Sequence, residues 1–131
     1  MNMECFDWYE ELPAGCPPIT SKEANGLFYR LIDGQGITLE DFDSHEKAGK
    51  SYRKNSTCPC KARAVSIFEN LGGCVNLKKL SVHKDKLIAE VNLTQADGKV
   101  SKTGSPYHYS WWRTVSFEYS AAIIAEVVGV E

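Results

Sequence analysis

Tyr107-His108-Tyr109-Ser110-Trp111-Trp112-Arg113 gathers four large aromatic rings, an imidazole and a guanidinium into seven consecutive positions. Such side chains can do three kinds of work. They can fill a core, with the polar edges of Tyr and Trp finding hydrogen-bond partners. They can grip a ligand, the rings stacking on a base or nicotinamide while His108 or Arg113 contacts phosphate or acts as acid or base. They can also anchor a partner protein, since Trp, Tyr and Arg are the commonest interface hot spots. As a strand, the segment would put Tyr107, Tyr109, Trp111 and Arg113 on one face and His108, Ser110, Trp112 and Thr114 on the other. Trp111 in the core would turn His108 and Trp112 outward or into a cleft. Trp112 in the core would instead expose Tyr109, Trp111 and Arg113.

Other reactive residues form weaker patterns. Cys58-Pro59-Cys60 could begin a zinc site with His45, Cys74 or His83, but no second cysteine pair at metal spacing exists, so no metal is expected. Gly34-Gln35-Gly36 follows a strand-like run yet lacks the third glycine of a nucleotide-binding turn. Between residues 47 and 63, Lys47, Lys50, Arg53, Lys54, Lys61 and Arg63 stand without an acidic residue, a local candidate for holding phosphate. No Gly-x-Ser-x-Gly elbow supports a serine hydrolase.

A further pattern is set by order along the chain. Arg30 sits within the strand-like Leu27-Phe28-Tyr29-Arg30-Leu31-Ile32. Ser66 follows within Ala64-Val65-Ser66-Ile67-Phe68, and Glu118 comes late. In residue type and order, across roughly residues 27 to 120, this resembles the Arg/Ser/Glu members of the ADP-ribosyltransferase-like superfamily. The resemblance implies NAD as cofactor, with Arg30 on its phosphates or nearby ribose, Ser66 shaping the nicotinamide pocket and Glu118 as the catalytic carboxylate. The chain carries no Ser-Thr-Ser run at 64 to 68 and no Glu-x-Glu or Gln-x-Glu near Glu118, so its status as an enzyme stays open.

The elements that must position these residues read as one α+β domain spanning 1–131, mainly an antiparallel sheet with a few short helices. Residues 1–20 form an irregular lead-in ending in Cys16-Pro17-Pro18-Ile19. Thr20 or Ser21, with Glu23, predicts a capped helical turn, and Thr38 a second one over Leu39-Glu40-Asp41-Phe42. Residues 43–61 read as a long polar loop. From Ala62 to Leu80 the apolar spacing is helical, with a short strand at 64–68 entering a helix as the alternative and Gly72-Gly73 dividing the halves. Lys86–Leu93 reads as a strand, with Asp97-Gly98 as a tight hairpin into 99–103. Residues 107–119 give one or two strands, and 121–128 a final strand or buried helix.

Composition bounds the function. Of the 131 residues, 43% are hydrophobic and 24% charged, as in soluble globular domains. The longest apolar run, Ala121–Ala125, falls far short of the ~20 residues that span a bilayer. The acidic start lacks a secretory pattern, so cytoplasm is the default expectation. Five cysteines, an odd number, suggest reduced thiols and no structural disulfide. A net charge of −2 disfavours duplex DNA as a partner. Two main functions follow: binding of NAD or another nucleotide, or a non-enzymatic inhibitor, immunity or adaptor role through the aromatic surface. Single-stranded nucleic acid, held by the basic loop and the rings, ranks below both.

Overall fold

Alternation of apolar and polar side chains decides most of the strands. In the computed structural model, which describes residues 7–33, 36–49, 58–81, 83–104 and 107–125, they run as β1 (Lys22–Glu23), β2 (Gly26–Ile32), β3 (Val65–Phe68), β4 (Leu87–Leu93), β5 (Gly98–Lys102), β6 (His108–Arg113) and β7 (Ile123–Ile124). All pairings are antiparallel, in the order β1-β5-β6-β3-β2-β4-β7. Only Ala24 and Asn25 separate β1, beside β5, from β2, four places further along the sheet. Two residues cannot cross a flat sheet of strands about 4.8 Å apart. The sheet must therefore curl until the β5 edge approaches β2, and the buried Ala24 sits at that closure.

Inside the curl lies the main core, built from Phe28 and Ile32 of β2, Val65 and Ile67 of β3, Val91 and Leu93 of β4, Val100 of β5, and Tyr109 and Trp111 of β6, with Phe42. Edge-to-face contacts of Phe28 with Tyr109 and of Trp111 with Phe117 fix the rings. On the outer face, helix α3 (Leu71–Lys78) covers Phe68 and Ile88 with Cys74. The absent side chain of Gly73 lets this helix lie directly on the Phe68 ring. Asn70 caps its start, accepting from Gly73 N at 3.1 Å.

Several local expectations change. Residues 22–23 form β1 rather than a helical turn. The Thr38 turn does form, as a 3-10 helix over Leu39–Phe42 closed by a capping box with Asp41. Helices α1 (His45–Ala48) and α2 (Pro59–Ala62) interrupt the span expected as a polar loop, capped by Ser44 and Cys58 respectively. The strand-then-helix alternative holds for residues 64–80, with Gly72 and Gly73 inside the first turn of α3. Asp97-Gly98 makes no hairpin: β4 pairs with β2 and β7, β5 with β1 and β6. Gly98 instead has φ 128°, and a Cβ there would strike the Trp112 carbonyl, so glycine is needed for close strand approach as well as backbone shape. Gly34, Gln35, the centre of the basic run at 50–57 and residues 126–131 lie outside the described residues.

The lead-in is a strap. Tyr9 N donates to Arg113 O and Val115 N to Asp7 O, while Trp8 bridges Thr114. A disulfide joins Cys16 to Cys60, which corrects the expectation of reduced thiols throughout: a strap crossing the sheet brings two cysteines 44 positions apart to within bonding distance. Cys58 is free and exposed, Cys74 free and buried. Among the described residues, no helix is long and apolar enough to cross a membrane.

Candidate functional site

The site begins where a ladder fails. β2 and β3 register only at Tyr29 and Phe68, and beyond that pair the strands part. Arg30 shares the face of β2 that carries Phe28 and Ile32, where a cation would be costly to bury. Its guanidinium turns into the seam instead. Nη1 donates to Ser66 O at 2.8 Å, Nε to Asp41 O at 2.7 Å and Nη2 to Asp43 O at 3.5 Å. One side chain thus replaces a lost strand bond and ties β3 to the 38–44 turn. Burial pulls its pKa down to about 10, opposed chiefly by Asp41, so it stays cationic at neutral pH.

Strand phase sets the next neighbours. Glu69 N donates to Tyr107 O, which makes Ser66/Ser110 and Phe68/His108 the pairs without backbone bonds, whose side chains approach most closely. Ser66 and His108 are diagonal partners on that outer face, with His108 Nε2 3.1 Å from Ser66 Oγ. His108 Nδ1 lies 2.9 Å from Thr103 O and 3.1 Å from Thr103 Oγ1, and Thr103 Oγ1 lies 2.9 Å from Ser110 Oγ. A carbonyl can only accept, so the Nδ1 bond to Thr103 O requires the proton on Nδ1. In the neutral ring Nε2 is then an acceptor facing the Ser66 hydroxyl. An edge contact with the Phe68 ring, centroids 5.2 Å apart, braces the imidazole.

Around this row the surface opens into two adjoining lobes. One, of about 310 Å³, is lined by Arg30, Lys61, Ser66, Thr103, His108 and Ser110. The other, of about 460 Å³, runs from Arg30 and Ser66 toward Asp33, Asp41, His83 and Lys86. Asp43 and His45 border both. Asp43 is already neutralised, for its Oδ1 accepts from Arg113 Nη2 at 3.1 Å in a pair almost wholly shielded from water. The smaller lobe therefore presents hydroxyls, imidazoles and the cationic side chains of Lys61 and Arg30, whereas the larger mixes acids and bases.

Of the residues singled out by sequence, Arg30, Ser66 and His108 converge here. Trp111 does not: it is fully buried, with Nε1 donating to Asp97 O at 3.0 Å, and lines neither lobe. Arg113 lies on the same inner register, 3.6 Å from the centroid of the Tyr9 ring and paired to Asp43. Glu118 is exposed at the start of the 3-10 turn Tyr119–Ala121, accepts from Ser120, and lines neither lobe. Trp112 is also buried, with Nε1 donating to Cys60 O of α2 at 2.9 Å. Neither tryptophan is available to stack on a ligand or partner, and the exposed ring of the segment is Tyr107. Thr103 was missed and Ser110 was placed only as a face-mate of His108, whereas Lys61 belongs to the basic run already read as a local candidate for holding phosphate. Thr103 and Ser110 become visible only once β5, β6 and β3 are placed side by side, while the cap that positions Lys61 follows Cys58-Pro59.

No family model matches the chain, and neither the curated proteins nor the solved structures contain a significant match to it.

Proposed function

We propose that the smaller lobe binds the phosphate of a small molecule, with NAD or another nucleotide as the ligand class and Arg30, Ser66 and His108 as its contacts. The observation that supports this most is the meeting of those three residues, from three strands, in a polar pocket whose one carboxylate among the described residues, Asp43, is already paired with Arg113. Phosphate recognition needs fixed positive charge and several hydrogen-bond donors at short range. Arg30 is held in place by three carbonyls, Lys61 stands on α2 beside it, and Ser66, Thr103 and Ser110 supply hydroxyls. The lobes have volumes in the range of small-ligand sites, and the larger one gives a ligand room to extend beyond its phosphate.

The roles of Arg30 and Ser66 follow the ADP-ribosyltransferase-like resemblance, with Arg30 on phosphate and Ser66 in the pocket wall. Glu118 has no part in this proposal. Calorimetric titration with NAD, in parallel with inorganic phosphate, tests it, together with an assay for released nicotinamide. Binding that weakens at least tenfold in Arg30→Met and in Lys61→Ala is the expected result. Absence of heat with both ligands defeats the proposal.

A further inference from the structure

The hydrogen-bond row across the outer face does more than shape a wall. Ser66 is exposed on its strand, its Oγ meets the one imidazole nitrogen free to accept, and the opposite nitrogen is held by a main-chain carbonyl. A nucleophile, a base and a group that orients the base are the parts an activated hydroxyl requires, and all three are within hydrogen-bond reach. Its surroundings select the electrophile. An attack that builds negative charge on oxygens bound to phosphorus would develop it beside Lys61 and Arg30, which line the same lobe.

We infer that Ser66 is a nucleophile toward phosphorus in a phosphoester or phosphoanhydride held in this lobe, with His108 as its base and Thr103 as the residue positioning His108. The inference rests on the phosphate-binding reading of the pocket. In the first step the Ser66 Oγ–P bond forms as the bond from phosphorus to the leaving oxygen breaks. The hydroxyl proton passes to His108 Nε2 and from there to the leaving oxygen. In the second step water attacks the phosphoserine, gives its proton to Nε2, and Ser66 Oγ departs and takes that proton back. Throughout, Nδ1–H stays on Thr103 O, so the imidazolium that forms transiently has a donor bond at its far nitrogen. No reactant beyond the phosphorus compound and water enters.

The test is intact-protein and peptide mass spectrometry after incubation with an alkyl fluorophosphonate, in which the Ser66 Oγ–P bond would replace P–F. A single adduct on Ser66 is expected, absent in Ser66→Ala. In His108→Ala its rate should fall by about 100-fold or more, the scale of general-base assistance, and added imidazole should restore part of the loss. A His108→Gln variant with an unchanged circular dichroism spectrum guards against misfolding and should show the same fall. No adduct on Ser66, or labelling of Ser66 at an equal rate in folded His108 variants, would overturn the inference. NAD and phosphate calorimetry on the unmodified protein separates the two claims. Binding without labelling removes the nucleophile and keeps the pocket, whereas labelling without binding keeps the reactive serine and removes its phosphate ligand.

Discussion

Strand β6 carries two regions of opposite character within six residues. Tyr109, Trp111 and Arg113 point into the curl of the sheet, where Trp111 is sealed by Phe117 and Asp97 and Arg113 is paired with Asp43 beneath Tyr9. His108 and Ser110 point outward, into a row of hydroxyls bordered by cations. Trp112 shares the outer face but lies under α2. The difference teaches that ring density alone marks core: the two tryptophans anchor the strand from either side, and the smaller polar residues that precede them, His108 and Ser110, line the smaller lobe. A rigid strand fixed at its far end by two buried indoles is also a good support for an imidazole whose orientation matters.

Substitutions can break that contrast. Trp111→Ala should have the largest effect, a loss of about 3–5 kcal/mol in denaturant unfolding, as for other large aromatic truncations in cores. Asp43→Ala should come close behind, at about 3–5 kcal/mol, because it leaves Arg113 buried without its counter-charge. Cys16→Ser removes a cross-link between residues 44 positions apart and should cost ~2–4 kcal/mol, a loss that reductant added to the unmodified protein should reproduce. Ser66→Ala, on the outer row, should change stability by less than about 1 kcal/mol while abolishing phosphonate labelling. A loss as large as that of Trp111→Ala would erase the distinction between the two faces.

The smallest effect concerns pH. Burial raises the Glu10 pKa above its ordinary value of 4.5, opposed first by the Ser44 hydrogen bond, and then by Arg63 and Lys47. Between the unfolded and the raised folded pKa the native state holds more protons, so stability should fall as pH rises through that window. Glu10→Gln, which keeps the acceptor for Ser44, should flatten this fall in thermal melts recorded from pH 4 to pH 7. An unchanged slope would show that the carboxyl is well solvated.

Much of the fold was legible because strands announce themselves by alternation. Leu27–Ile32 and Lys86–Leu93 were bounded to within a residue, and the α+β class with an antiparallel sheet follows from them. What misled was local chemistry with a tertiary use. Asp97-Gly98 has hairpin residues, yet Gly98 serves close contact with Trp112 and Asp97 caps Thr94. The disulfide was hidden because parity of cysteine count says nothing about which two a strap brings together. For the site, Arg30 and Ser66 stood out by order in the chain, and His108 by its aromatic neighbours. Their meeting depends on where the β2–β3 ladder ends, which no single residue encodes.

The central claim is that the outer face of β6 receives a phosphate-bearing ligand while the inner face is inert. Its most direct test is a titration with NAD followed by side-chain resonances in nuclear magnetic resonance spectra. The His108 imidazole should shift in a saturable way while the Trp111 indole N–H stays in place. Saturable shifts at Trp111 with His108 unmoved, or no shift at either, would contradict the account.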